Sequence, residues 1–431
     1  MRRTLGIGVA ILFLGQVLMA AVVDYVEVKG VKIPVIFEAD HRLPLASLQL
    51  VFTNSGSIAD GAHAGLAKLS AKMMNEGSKT LGSDGFADAL DSKAIGLSAH
   101  TGVETFVFEL SALKSEFDTA LTLFQSLLAD PNVTQENLKK IQTNTVGSLM
   151  RKANDYDYVA NVALKALLFK GTPLAQPAAG TPESIKAIAL DDVQKFLHEH
   201  LVLSRAIVVV GGDLDLATVK KHIGTLLAVL DVGKSEKVKH YDVVSKSAEE
   251  IITKKTEQAY IYFGSPYNLH VDSPEYYKAR VATYILGTGG FGSRLMEEIR
   301  VKRGLAYSAY ARLSISASSN YMMGYLQTKT DSMKEAEATV KEVIGDFVAK
   351  GVSKAELEQA KKFLLGSEPL RVETLSQRLS RTFMEYYKGQ KIGASLEELK
   401  KIEALDVKTL NAFIAAHPEI NQLSFAIVTA P

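Results

Sequence analysis

The sequence predicts an α+β chain of two homologous halves, each an antiparallel sheet with helices on one face, joined by a linker. Three observations carry this. Strand-like alternation and helical periodicity come in blocks and do not alternate as βαβ units. Segments of the second half repeat segments of the first, in the same order and at nearly constant spacing. GVSKAELEQAKKFLLGSE from Gly351 parallels NVTQENLKKIQTNTVGSL from Asn132, LDVKTLNAF from Leu405 parallels DDVQKFLHE from Asp191, and the late SFAIVTA parallels RAIVVVGG from Arg205. A period of roughly 200 residues denotes duplicated domains, not a solenoid. Finally, residues 232–250 are polar, lysine-rich and aperiodic, which makes them the linker between halves at 22–231 and 251–431.

The elements follow in order. Val22 to Phe37 alternates apolar residues around Gly30, as a hairpin does. Leu45 to Phe52 is a strand with Leu48, Leu50 and Phe52 on one face. Gly65 to Asn75 is a helix with Leu66, Leu69 and Met73 on its inner stripe. A short helix over Phe86 to Ala94 precedes two strands between Gly96 and Leu113, and Phe117, Leu121, Phe124 and Leu128 mark the next helix. Thr134 is placed to cap a further helix running toward Lys152, and helical sequence continues to Phe169. The Pro/Gly-rich Gly171 to Ile185 loop hands over to a capped helix, and AIVVV from Ala206 is a buried strand. In the second half, Ala259 to Phe263 is a strand, Ser273-Pro274-Glu275 opens a helix through Leu286, Leu313 to Leu326 holds paired strands, and Ser332 to Lys350 is a long helix.

Composition narrows the function. The formal net charge of +1 gives no argument for a nucleic-acid surface. There is no cysteine, so disulfides, thiolate zinc sites and a cysteine nucleophile are excluded. Arg2 and Arg3 precede an apolar run, Leu5 to Ala21, interrupted only by Gln16. That is the layout of a secretory signal peptide over residues 1–20, and the expectation is export, most simply to a bacterial periplasm. Cleavage after Ala20 leaves Leu18 at the −3 position, where a smaller residue is usual, so an uncleaved membrane anchor stays open as the alternative.

The segment GTGGFGSRLMEEIRVKRGLAYSAY, Gly287 to Tyr310, concentrates the chemistry. Gly287, Gly289 and Gly292 spell GxGxxG, but the preceding segment is a capped helix where a dinucleotide turn needs a strand. No acid stands some twenty positions on, where the chain has Arg312, Leu313 and Ser314. The glycines therefore form a flexible connection between helices. His198-Glu199-His200 completes no zinc pattern, because histidines two apart on a helix point to different faces.

The same segment resembles the second-half signature of the pitrilysin, insulin-degrading enzyme and mitochondrial processing peptidase family: a glycine-rich loop, SRL, an acidic helix, an arginine and Gly-Leu-x-Tyr. GTPESI and AIVVVGGDLD are similar to the end of that family's first domain. The resemblance spans nearly the whole chain after the leader. It implies two α+β halves facing each other across a chamber, with an inverted zinc motif H-x-x-E-H on a first-half helix and a further glutamate ligand on a later one. Here the motif reads GLAKLSAKM: Lys68 and Lys72 hold the histidine positions, Ala71 holds the base position, and residues 137–154 contain no acid. The resemblance thus implies no metal bound by this chain.

Arg300 and Tyr307 fall where the family has an arginine and a tyrosine that hold the substrate carbonyl, so the resemblance makes them the catalytic candidates. Gly287, Gly289, Gly290 and Gly292 become candidates for substrate binding near the entrance. Together these imply the non-catalytic, substrate-binding subunit of a heterodimeric zinc metalloendopeptidase acting on peptides or unfolded polypeptides. Zinc is then expected on a homologous partner chain carrying H-x-x-E-H. The alternative is a structural or peptide-binding protein of the same fold with no peptidase role.

Overall fold

The computed structural model describes residues 21–244 and 246–431. The expected signal peptide lies outside the described residues.

The first half contains six strands: β1 (Val22–Val28), β2 (Val31–Ala39), β3 (Leu45–Thr53), β4 (Gly96–Thr101), β5 (Thr105–Leu113) and β6 (Ala206–Gly212), in the order β1-β2-β6-β3-β5-β4. The second contains β7 (Glu249–Thr253), β8 (Gln258–Pro266), β9 (Ala306–Ile315), β10 (Asn320–Lys329) and β11 (Ser424–Thr429), in the order β7-β11-β8-β10-β9. With β1 set aside, the two orders superimpose strand for strand. Each sheet is antiparallel except for one parallel pair, β2–β6 in the first and β7–β11 in the second, at equivalent places. The duplication read from three sequence matches is therefore a duplication of topology.

Local chemistry explains much of this. The β1–β2 turn places Lys29 and Gly30 both at positive φ, the conformation a two-residue hairpin demands. The Thr134 side chain accepts a hydrogen bond from the Asn137 backbone N–H at 3.2 Å, capping the helix Gln135–Lys152. Thr181 and Ser184 close a capping box over Pro182. Three expectations shift. The helix after Gly77 spans Gly82–Asp91, earlier than expected. The helix expected from Ser273 begins at Tyr276, and Ser273 Oγ instead accepts from the Glu275 N–H. Strand β7 starts at Glu249, inside the segment read as linker.

Both sheets are apolar on both faces. In the first, Val35, Leu48, Leu50, Phe106 and Phe108 face the half's own helices, while Ile36, Val51, Val107 and Val209 face the other way and are also buried. What covers that outer face comes from the other half: the helix Leu375–Tyr387 lays Leu379, Phe383, Tyr386 and Tyr387 on it. The reverse also holds. The first-half helix Tyr156–Leu168 packs Ala160, Ala163 and Leu164 against Tyr262, Met323, Ala426 and Val428 on the outer face of the second sheet. Helices on one face describes what each half supplies to itself; the second face is covered by exchange. Each fully buried large aliphatic or aromatic side chain in these layers contributes about 1.5–3 kcal/mol.

Polar contacts lock the exchange. Arg378 on the lent helix pairs with Glu38, and its Nη2 lies 2.7 Å from Asp40 Oδ2. Glu104, in the β4–β5 turn, accepts from the Ser318 N–H and from the Tyr387 hydroxyl, both at 2.6 Å. No helix of the described residues is long and apolar enough to cross a membrane.

Candidate functional site

Arg300 and Tyr307 are brought together by how one helix ends. The segment Arg294–Met296 starts the helix, and Glu297–Lys302 continues it with a widened π turn. Its start is pinned: Arg294 grips Glu356 through Nε at 2.6 Å and Nη2 at 3.0 Å, a two-point contact that holds the Glu356 carboxyl down at about 2. Burial opposes that shift and is overcome by Arg294 and the Ser353 donors. At the other end Gly304 takes φ +62°, and the Leu305 N–H reaches back to the Ile299 carbonyl. The chain reverses there into β9.

Next, a bulge intervenes. Leu326 pairs with Ala309 and Thr328 with Ala306, so β9 carries one residue more than β10 over this step. The extra residue leaves Tyr307 and Ser308 both facing out. Tyr307 is 82% exposed, and the Arg300 guanidinium lies over its ring at 4.3 Å from the centroid. Arg300 is also 4.5 Å from the ring centroid of Phe291, itself 65% exposed. The guanidinium therefore lies over two exposed rings, contacts that orient it without using its five N–H donors. Arg300 makes no ion pair with Glu297 among the described residues.

The four glycines divide. Gly287 is buried inside a helical turn, and a Cβ there would sit 2.3 Å from the Ala311 backbone nitrogen. Its missing side chain lets the helix pack closely on the strand. Gly289 packs against Tyr284, and a Cβ on Gly292 would meet the Gln359 side chain at 2.6 Å. Only Gly290, at φ +58° with open space around it, has the freedom expected of the whole run. The turn Gly290–Gly292 serves to present Phe291 to Arg300. Sequence reasoning passed over Phe291; an aromatic ring alone among four glycines was the available signal.

The helix Leu66–Met74 carries Lys68, Ala71 and Lys72. Ala71 is buried, and Lys72 donates to Thr145 Oγ1 at 2.7 Å. Burial, then the neighbouring charge of Lys152, lowers the proton affinity of Lys68; burial, then Lys68 and Lys152, lowers that of Lys72. An ammonium has no lone pair to give a metal, and these repel one another already. The residues present do not fit the zinc that the resemblance associates with this helix. Among the described residues, no three His, Cys, Asp or Glu side chains converge as metal ligands do.

His198 and His200 part company as their spacing requires. His198 is exposed near Asp231, whereas His200 stacks on Phe196 at 4.4 Å, and Arg205 Nη1 donates to its Nδ1 at 3.0 Å. Burial first, and Arg205 second, depress its pKa to about 4. The unfolded chain takes up this proton below about 6.5. Stability from His200 is thus complete above that pH and is lost as pH falls toward 4. Urea-unfolding midpoints of the wild type should fall over this window, and His200→Gln, which still accepts from Arg205, should flatten the fall.

Two family models match the chain: "Insulinase (Peptidase family M16)" over residues 35–182 and "Peptidase M16 inactive domain" over residues 187–364. The chain is 42% identical to a non-peptidase homolog, YmxG, of Helicobacter pylori over 412 residues, covering 96% of this chain and 95% of that one. It belongs to peptidase family M16. An uncharacterized zinc protease of Mycobacterium leprae is 25% identical over 393 residues, 88% of this chain and 86% of that one. Among solved structures, the peptidase M16 inactive domain from Pseudomonas fluorescens superimposes with a TM-score of 0.87 at 21% identity, covering 95% of this chain and 98% of that one. A protease from Helicobacter pylori does so with a TM-score of 0.80 at 14% identity, covering 95% and 100%. This M16 chain keeps the family's two-half architecture.

Proposed function

We propose that the chain is the non-catalytic, substrate-binding subunit of an exported two-chain zinc endopeptidase. It presents Arg300 and Tyr307 to the active site of a homologous partner that carries H-x-x-E-H. The observation that carries this reading is the Phe291–Arg300–Tyr307 cluster: a guanidinium lying over two exposed rings, in a chain whose Leu66–Met74 helix has lysines where the family resemblance puts zinc ligands. An isolated chain gains nothing from exposing two rings around a cation whose donors stay free. A partner's cleft would use both. There the guanidinium and the phenol O–H would donate to a substrate peptide carbonyl and hold the negative charge that develops on its oxygen.

The test is reconstitution. The purified chain alone should bind no stoichiometric zinc and cleave no unfolded or fluorogenic peptide. Mixed with a homologous H-x-x-E-H chain, it should form a stable pair whose peptidase activity exceeds that of either chain. Full activity of this chain alone would sink the proposal. A stable assembly indifferent to Arg300 and Tyr307 would favour a structural role instead.

A further inference from the structure

Between the halves lies a cavity of about 460 Å³, within the range of ligand-binding pockets. Its wall is contributed by both halves: the Leu66–Met74 and Tyr156–Leu168 helices on one side, the β9–β10 turn and the Leu375–Tyr387 helix on the other. Three lysines line it, Lys68, Lys152 and Lys165, from three different helices. Among the described residues no carboxylate comes within ion-pair reach of any of them. The cavity's one acid, Glu104, has both oxygens occupied by Ser318 and Tyr387. Three ammonium groups thus face one carboxylate that is already spent on holding the halves together.

Nothing in the fold requires this. Lysine at a helix surface ordinarily snorkels to water; here three line one cleft, and the charge of Lys152 acts on Lys68. The walls between them are mixed. Serine hydroxyls, Ser57 among them, alternate with apolar surface from Phe169 and Phe383. A fully hydrated inorganic ion gains little from apolar walls. A ligand with carboxylates on short hydrocarbon arms matches both kinds of surface.

We infer that the inter-half cavity binds carboxylates presented by an acidic peptide segment, held by Lys68, Lys152 and Lys165. The chain would thereby use the degenerate zinc-helix position Lys68 as an anion anchor. The site lies wholly within this chain and needs no partner.

Fluorescence anisotropy on the purified chain, without any partner, tests it with a labelled, end-blocked peptide containing four glutamates and with the same peptide carrying glutamines. The glutamate peptide should bind at least about tenfold more tightly at low ionic strength, and the difference should shrink at high salt. The double variant Lys68→Met, Lys152→Met keeps the hydrocarbon stems and should abolish the preference, and Lys165→Met should reduce it. Lys221→Met, Lys237→Met removes the same net charge from exposed sites and should leave it intact. Equal affinity for the two peptides, or an equal loss in the exposed-site double variant, overturns the inference. So does competition by free citrate or inorganic phosphate at concentrations as low as those of the peptide itself, since that would denote a small-anion site. Because no peptidase readout enters, a negative result leaves the two-chain proposal untouched, and failed reconstitution leaves this one untouched.

Discussion

In a reconstituted pair with an H-x-x-E-H partner, Arg300→Ala is expected to lower kcat by about 100- to 1,000-fold while KM changes little. The reason is geometric. Phe291 and Tyr307 both pack against the guanidinium, so its donors meet developing charge already oriented. An interaction that strengthens only as charge builds on the carbonyl oxygen lowers kcat and kcat/KM together. Arg300→Lys should rescue poorly, because an ammonium neither stacks nor forks. Tyr307→Phe keeps the ring over Arg300 and removes only the hydroxyl, so its loss should be smaller. Phe291→Ala, which removes one of the two rings against Arg300, should fall between wild type and Arg300→Ala. Steady-state kinetics on the four variants, with pair formation checked by size-exclusion chromatography, decides. A set of variants all matching wild type would remove Arg300 and Tyr307 from the chemistry.

The second large effect is on stability. Arg378→Ala should cost about 3–5 kcal/mol, read as a lower urea midpoint at unchanged slope. Arg378 is nearly buried, and the Glu38 side chain beneath it is only 2% exposed. Removing the guanidinium strands that carboxylate in an apolar layer. Asp40 suffers less, since Arg42 also grips it through Nε at 2.8 Å and holds its carboxyl far below the usual range. The cost therefore lies in the unpaired charge, not in a lost attraction. Adding Glu38→Gln to Arg378→Ala should recover part of the loss. A loss under about 1 kcal/mol for the single variant would mean that the exchanged helix is held by its apolar face alone.

Much of the fold could be read where the governing chemistry is local. The Gly30 hairpin, the Thr134 cap and the Pro182 helix start each depend on residues within a few positions, and the repeat gave the architecture without any contact being known. What stayed hidden depends on distant chain. AIVVV announces a strand buried on both faces, yet nothing in it says that the cover for one face lies in Leu375–Tyr387. Gly287 looked like its neighbours in the glycine run, and only its approach to Ala311 separates packing from freedom. The site shows the same division. Arg300 and Tyr307 were found through a motif, but the Phe291 stack and the β9 bulge that exposes Tyr307 arise from pairing with β10. Likewise Lys68 was visible as a lost ligand, whereas its meeting with Lys152 and Lys165 needs three helices in place.

The exchanged helices say something about how such a chain came to be. Tyr156–Leu168 and Leu375–Tyr387 begin 219 positions apart, close to the spacing of the repeat itself, so each is the same element of its own copy. One copy alone leaves the outer face of its sheet bare and holds a helix with nowhere of its own to dock. Two separate copies would satisfy both needs at once, each laying its helix on the other about a shared two-fold axis. The present molecule has the form of a domain-swapped dimer made permanent by tethering. The tether of residues 232–248 turned association into an event within one chain, at an effective concentration that separate copies do not reach. Within one chain the two copies need no longer be identical, and only the first holds Lys68 and Lys72 while only the second holds Arg300 and Tyr307.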